Sequence, residues 1–231
     1  NAPINVVYTV TPTSGAAGNC VGATFTVTVT VYPTPALSST LTPAAICSGT
    51  TFSYTATSST QLNPTFSWSR ATVAGISQAA ATGTGASISE TLTNTTNAPI
   101  SVTYVYTITA NGCSATNNVV VAVNPTPVIA AKTATICNNG TFTVTPTNGT
   151  DIVPANTTYT WSAPSAIAGI SGLASGTNAT SVSGTLTNST NAPINVVYTV
   201  TPTSGAAGNC VGATFTVTVT VYPTPALSST L

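Results

Sequence analysis

The chain has 231 residues, yet it contains only two Lys or Arg, two Asp or Glu, and neither histidine nor methionine. This balance provides no basic surface to meet nucleic-acid phosphates and no polybasic segment to meet anionic membranes. Valine, isoleucine and threonine are abundant and favour a pleated, half-buried sheet over disorder, so the composition predicts an all-β protein.

The chain begins and ends with the same 41 residues, which sets a repeat period of 190 residues. Within that period, ICSGTTFSYTAT at 46–57 resembles ICNNGTFTVTPT at 136–147. Two related modules, A and B, therefore alternate in a predicted tandem array. We expect the rear part of a module B at 1–35, a complete module A at 36–126, a complete module B at 127–225, and the start of another module A at 226–231.

Within each module, apolar residues alternate with polar ones. Val102, Tyr104 and Tyr106 share one face of a predicted strand, and threonines fill much of the other. This period of two indicates antiparallel sheets with one buried face. About seven short strands per module, separated by Gly, Asn, Ser and Pro turns, predict an immunoglobulin-like β-sandwich. Trp68 and Trp161 lie in the third strand of their modules, a familiar core position of that fold.

Pro-Thr-Pro segments join the modules, and proline restricts both itself and its predecessor to extended conformations. We therefore expect short, semi-rigid joints and a rod-like array, with the joint prolines at Pro33, Pro35, Pro125, Pro127, Pro223 and Pro225.

The residue before each Pro-Thr-Pro segment differs between the two kinds of joint. Module B ends in Tyr222, or Tyr32 in the first copy, whereas module A ends in Asn124. Both tyrosines lie on the strand face opposite the core residues. We predict that they pack against the following module A and make the B→A joint tighter than the A→B joint. The alternative is a surface tyrosine at the end of a strand.

Five cysteines form the strongest local signal. Cys47 and Cys137 follow the first strand of modules A and B, whereas Cys113 and Cys210 precede the last strand. These matched positions predict Cys47–Cys113 and Cys137–Cys210 disulfides within modules, with the partner of Cys20 preceding residue 1. Such regular pairs indicate an oxidising, extracellular compartment. A structural zinc site is a weaker alternative, because each module offers two thiols and no histidine.

Module A contains one cation and one carboxylate, Arg70 and Glu90. Alternation with Ile88 and Leu92 places Glu90 on an inward face, which is costly unless the carboxylate is paired. Module B has Ala163 and Gly184 at the matching positions, so both charges are absent together. We predict an Arg70–Glu90 ion pair. A bulge that turns Glu90 to solvent, or an edge strand that carries a charge, is the alternative.

The sequence also excludes several kinds of chemistry. Without histidine, Ser–His and Cys–His catalysis are impossible. One carboxylate per module excludes paired acid–base work within a module and a calcium cage of the cadherin kind. We therefore expect no enzyme activity, no cofactor and no metal site. The aromatic residues could form a sugar-binding platform, but their spacing by two alongside aliphatic residues favours core packing.

The segment LTNSTNAPINVVYTVTPTSGAAGNCVGATFTVTVTVYPTP, preceded by ICNNGTFTV and TYTWSA, resembles the PKD-like modules of giant cell-surface proteins in Bacteroidota. Some of those proteins are gliding-motility adhesins exported by the type IX secretion system. The resemblance covers the whole chain and implies surface display and adhesion. The Trp-Asp-Phe-Gly-Asp-like motif of better-known PKD domains is replaced here by FSWSRA and YTWSAP.

These observations predict a non-catalytic stalk or filament of an extracellular bacterial adhesin. Its expected partners are neighbouring modules of the same array or identical chains, with no nucleic acid and no direct membrane insertion. A polysaccharide-binding module is the second hypothesis, and an accessory domain of a secreted hydrolase is the third. An exposed row of aromatic rings would favour the second, and a catalytic domain elsewhere in the gene would favour the third.

Overall fold

The computed structural model describes residues 2–15, 17–59, 63–206 and 208–225. Across these ranges the chain forms β-strands, turns and bends, with no helix. The all-β class and the tandem β-sandwich architecture are therefore confirmed. The predicted start of another module A at 226–231 lies outside the described residues.

The first two strands form a hairpin. Strand β1 (Ile4–Val10) pairs antiparallel with β2 (Phe25–Val31) in a sheet of two strands. Every residue of both strands is exposed. We call this unit the hairpin β1–β2.

Module A is a sandwich of two sheets. Its strands are β3 (Ile46–Cys47), β4 (Thr50–Thr55), β5 (Thr65–Arg70), β6 (Ala81–Thr84), β7 (Ser87–Leu92), β8 (Ile100–Ala110) and β9 (Cys113–Asn124). One sheet has the order β3-β9-β8-β5-β6, and the other pairs β4 with β7. The short first strand β3 runs parallel to the last strand β9, whereas the other pairs are antiparallel.

Module B repeats this topology. Its strands are β10 (Lys132–Cys137), β11 (Gly140–Val144), β12 (Thr158–Trp161), β13 (Ile170–Ser171), β14 (Gly176–Ala179), β15 (Val182–Asn188), β16 (Ile194–Thr203) and β17 (Phe215–Tyr222). The sheets have the orders β10-β17-β16-β12-β14 and β11-β15-β13. Strand β13 corresponds to a single bridge in module A, where Ile76 pairs with Asn94 as Ile170 pairs with Asn188.

The core of each sandwich follows the predicted alternation. In β8 and β17 alternate residues are fully or almost fully buried, and they face the second sheet of their own module. The tryptophans pack against these cores, and each faces a glycine on the neighbouring strand. A Cβ on Gly83 would lie 2.5 Å from the Trp68 ring, and one on Gly176 would lie 2.3 Å from the Trp161 ring. Glycine is therefore required opposite each ring.

A buried asparagine closes the same corner of each module, and the sequence patterns did not predict it. The Asn94 Nδ2 donates to the carbonyls of Ala98 at 2.7 Å and Val123 at 2.9 Å. Asn188 donates to Ala192 and Val221 at 2.8 and 2.9 Å. Because unpaired buried polar groups are costly, these bonds tie the β7–β8 and β15–β16 turns to the last strand of each module.

Candidate functional site

A disulfide joins the two modules. Cys47 of module A bonds to Cys210 of module B, with a Cα–Cα distance of 5.6 Å and a sequence separation of 163 residues. The predicted pairs Cys47–Cys113 and Cys137–Cys210 are therefore wrong. Cys113 and Cys137 are free thiols in the described structure, as is Cys20.

The strand topology explains this error. Cys47 pairs with Asn124 at the end of β9, whereas Cys113 begins the same strand of 12 residues. A strand of that length spans roughly 36 Å, far beyond the Cα separation of about 7 Å that a disulfide can bridge. In module B, Cys137 pairs with Tyr222 at the end of β17, and Cys210 precedes the start of that strand. The parallel pairing of first and last strands thus puts the two cysteines of a module at opposite ends.

Backbone contacts and buried residues support the bond at the A→B joint. Asn124 is 3% exposed, and its carbonyl accepts a hydrogen bond from the Ser48 N–H at 2.8 Å. The Thr126 hydroxyl donates to the Ser48 carbonyl at 3.2 Å. Pro125 and Pro127 are both buried. This joint is therefore packed as well as covalently closed.

Glycines of module B let its loop approach the joint closely. A Cβ on Gly212 would lie 2.3 Å from the Pro127 carbonyl oxygen, and one on Gly208 would lie 3.5 Å from the Asn124 side-chain nitrogen. Gly208 also has a φ of +101°, which L side chains rarely adopt. Gly208 lies two residues before the bonded Cys210, on the loop that approaches the joint.

The predicted asymmetry of the joints stays a prediction, because the module that would follow Tyr222 lies outside the described residues. Tyr32, which precedes the complete module A, is 40% exposed, whereas Asn124 at the A→B joint is buried. Tyr222 ends β17 on the outward face, and Tyr32 directly follows the last residue of β2. Of the prolines in the B→A segments, Pro35 is buried, Pro33 and Pro223 are half-buried, and Pro225 is exposed.

The Arg70–Glu90 ion pair is confirmed. The Arg70 Nη2 lies 2.5 Å from Glu90 Oε1, and its Nε donates to Oε2 at 3.0 Å. The Tyr104 hydroxyl donates to the same Oε2 at 2.6 Å. Arg70 is only 1% exposed and also donates to the carbonyls of Ala71 and Ala79. Glu90 faces inward, so the alternative of a bulge or a solvent-facing carboxylate does not hold.

A second ion pair was not predicted. The Lys132 Nζ lies 2.5 Å from Asp151 Oδ2, and the Ala130 N–H donates to Asp151 Oδ1 at 3.0 Å. Asp151 is 5% exposed. The sequence offered one signal, namely one cation and one carboxylate in each module, but Lys132 and Asp151 lie 19 residues apart with strand β11 between them. All four charged side chains of the sequence are therefore neutralised in two internal pairs.

These contacts shift the acid–base properties of the carboxylates. Burial alone would raise the pKa of Glu90, but hydrogen bonds from Arg70 and Tyr104 outweigh it and hold the pKa below its ordinary value. Burial would also raise the pKa of Asp151, but hydrogen bonds from Lys132 and the Ala130 N–H outweigh it and hold the pKa below its ordinary value. Burial and the bond to Glu90 raise the pKa of Tyr104 well above its usual range.

Acid is therefore expected to destabilise both modules. A carboxylate whose pKa is lower in the folded protein contributes stability that is complete above its unfolded pKa and lost as the pH falls through the folded value. With ordinary values of 4.5 for Glu90 and 3.8 for Asp151, we expect the free energy of unfolding to decline below about pH 5. Urea denaturation between pH 7 and pH 2.5 measures this. A free energy that stays constant over this range would contradict it.

The described residues contain few features suited to small ligands. An apolar cleft of about 380 Å³ lies at the joint between Asn94, Pro127 and Ile152. An open groove of about 680 Å³ runs beside Trp161. No group of three metal-binding side chains is present in the described part of the chain. In that part, too, no helix is long and apolar enough to cross a membrane.

The family model for the PKD-like domain matches residues 1–35, 44–127 and 134–225. The chain belongs to the PKD-like domain family. Its three matched segments correspond to the hairpin β1–β2, the sandwich of module A and the sandwich of module B. No curated protein sequence matches this PKD-like chain.

Several solved structures similar to the PKD-like chain hold tandem immunoglobulin or cadherin domains, and an endo-fucoidan hydrolase of glycoside hydrolase family 107 is a further match. The three-domain titin structure I67–I69, in an E-to-A variant, has a TM-score of 0.42 and 8% identity, and the match covers 96% of this chain and 88% of that one. Drosophila N-cadherin EC1–4 has a TM-score of 0.33 and 10% identity, with 97% and 59% coverage. The first four immunoglobulin domains of Sidekick-1 have a TM-score of 0.36 and 10% identity, with 84% and 49% coverage. These similarities concern the fold alone.

Proposed function

We propose that this PKD-like chain is a non-catalytic stalk segment that transmits tension in an extracellular bacterial adhesin. The observation that carries the proposal is the disulfide between modules A and B. A bond within a module stabilises only that module, whereas the Cys47–Cys210 bond makes two modules one mechanical unit. Its oxidised state also supports an extracellular location.

The disulfide changes the path that tension takes along the chain. Force entering module A passes from Cys47 through the two sulfurs to Cys210, and bypasses the 163 residues of separation between them. Unfolding cannot release that segment, which would otherwise extend by roughly 540–590 Å. The chain thus keeps its length under load even if a sandwich opens.

The surface chemistry fits a stalk in the open environment outside a cell. With all four charges paired internally, the outward strand positions carry mainly threonine, serine and asparagine. Such a surface has little electrostatic attraction for ions, nucleic acids or charged membranes. The resemblance to gliding-motility adhesins of Bacteroidota supports the same protein class and export by type IX secretion.

Single-molecule force spectroscopy tests the proposal. The chain is pulled from its ends in oxidising and then in reducing buffer. We expect the oxidised chain to extend by roughly 540–590 Å less than the reduced chain, because the bypassed residues stay locked. Cys47→Ser should behave like the reduced chain, and Cys137→Ser should behave like the oxidised one. Equal extensions in the two buffers would overturn the proposal.

The arrangement of aromatic rings does not support the polysaccharide-binding hypothesis. Phe52, Tyr104, Tyr159 and Trp161 lie in the two cores, where they pack against other rings and aliphatic side chains. In the described residues of the two complete modules, Tyr222 is the single aromatic side chain that is largely exposed. One ring does not make a row on which sugars could stack.

A further inference from the structure

The hairpin β1–β2 has the sequence and the geometry of a hairpin in module B. Residues 1–35 are identical to residues 191–225, and strand β1 pairs with β2 in the register that β16 keeps with β17. The loops agree as well. The Ser14 N–H donates to the Cys20 carbonyl at 3.0 Å, and the Ser204 N–H donates to the Cys210 carbonyl at 2.9 Å. One sequence therefore forms the same hairpin twice in this chain.

The two hairpins differ in what covers them. Tyr8 is 55% exposed and Phe25 is 52% exposed, whereas their counterparts Tyr198 and Phe215 are 1% and 4% exposed. The same contrast holds for the valines that share this face, which are exposed in the first hairpin at Val6, Val10, Val27, Val29 and Val31. The hairpin β1–β2 therefore presents an apolar face that nothing in the described residues covers.

Module B shows what covers this face. The tilted rings of Phe142 and Tyr198 pack with centroids 5.3 Å apart, and the ring centroids of Tyr159 and Phe215 lie 6.0 Å apart. Leu186 and Trp161 complete the same core. All four belong to residues 127–190, which we call the front part of module B. Because the covered and uncovered hairpins are identical, the occupant that fits the hairpin β1–β2 is another copy of this front part.

A free cysteine lies in the module that follows the hairpin. At the A→B joint, the first cysteine of one module bonds to the second cysteine of the next, Cys47 to Cys210. Cys137 is the module B counterpart of Cys47, since each ends a first strand that runs parallel to the last. Cys113 is the module A counterpart of Cys210. The same rule at a B→A joint pairs a Cys137 with the Cys113 of the following module A, and both are free here.

We propose that the hairpin β1–β2 and Cys113 together form the docking site for the front part of another module B, whose Cys137 bonds to Cys113. The apolar face is filled by the copies of Phe142, Trp161 and Leu186. The two thiols lose two protons and two electrons in forming the bond, and a disulfide oxidant such as oxidised glutathione is reduced to two thiols.

The pairing rule gives the array a covalent network. If every joint is closed in this way, each disulfide encloses a chain segment that includes one joint. That segment overlaps the segment enclosed by the next disulfide along the array. Any single break in the backbone is then bridged by at least one disulfide, so a protease nick leaves the array in one piece. This inference rests on the modular-array part of the proposed function and extends it from one joint to both kinds.

The test extends the full chain by one front part. A copy of residues 127–190 is placed directly before Asn1, which recreates the native junction because residue 191 is also asparagine. Cys20→Ser in the hairpin and Cys137→Ser in the original module B leave the added cysteine as the one available partner for Cys113. Thr9→Ser on the outward face marks the otherwise identical hairpin peptide for mass spectrometry. The refolding buffer contains reduced and oxidised glutathione.

We expect non-reducing peptide mapping to show the added cysteine bonded to Cys113. Hydrogen exchange in the marked hairpin should slow at least about 100-fold relative to the chain without the extension. A Cys113→Ser variant of the extended chain should lose the bond and keep most of the protection. A hairpin that still exchanges rapidly overturns the docking. A protected hairpin with a free Cys113 thiol overturns the bond. Both outcomes are distinct from failure of the force experiment, which depends on Cys47 and Cys210.

Discussion

Replacing Cys47 with serine is expected to lower the free energy of unfolding of both modules, although the substitution lies in module A alone. When one module unfolds while the other stays folded, the Cys47–Cys210 bond closes a loop that includes nearly the whole unfolded module. A loop of about 80 residues corresponds to about 4–5 kcal/mol in the chain-entropy model. Each module therefore depends on a bond to its neighbour.

Calorimetry and urea denaturation measure this effect. We expect the oxidised wild-type chain to show coupled unfolding of its modules at high temperature, and Cys47→Ser to show earlier transitions for both. Cys137→Ser is the matched control, because Cys137 occupies the same place in module B and is unbonded. Its unfolding free energy should change by less than about 0.5 kcal/mol. If Cys47→Ser behaved like Cys137→Ser, the disulfide would have no stabilising role.

Replacing Glu90 with alanine is expected to destabilise module A by about 3–5 kcal/mol. The substitution leaves the guanidinium of Arg70, which is 1% exposed, without its counter-charge, and it removes the acceptor of the Tyr104 hydroxyl. An uncompensated buried charge costs more than the intact pair contributes. Module B shows the permitted alternative, with Ala163 and Gly184 at the matching positions.

A double variant separates the two causes of this loss. Arg70→Ala with Glu90→Gly recreates the pair of residues found in module B, so it should recover a large part of the stability that Glu90→Ala removes. Thr91→Ala, on the outward face of the same strand, controls for substitution within β7 and should cost less than about 0.5 kcal/mol. Urea denaturation at pH 7 gives all the values. A double variant less stable than Glu90→Ala would show that the unpaired charge is not the cause.

The period-two pattern and the repeats were enough to predict the sandwiches, the inward-facing tyrosines and the position of Glu90. Those features are local, because alternation along a strand assigns each side chain to one face regardless of how the strands are connected. Alternation placed Glu90 on an inward face, and module B lacks both charged residues. These two observations together predicted the Arg70–Glu90 contact. Alternation could not predict the roles of Asn94 and Asn188, because the side-chain hydrogen bond of each reaches a strand about 30 residues away.

The sequence by itself determined the fold class, the repeat and the one ion pair that parity required, whereas the tertiary structure decided which cysteines meet. The places of Cys47 and Cys113 in one module predicted a bond between them, but the parallel pairing of β3 with β9 puts them at opposite ends of a long strand. The alternation of apolar and polar residues is the same in parallel and antiparallel strands, so it does not predict the relative direction of the first and last strands. That direction sets which end of a module each cysteine occupies, and hence whether a disulfide closes one module or joins two.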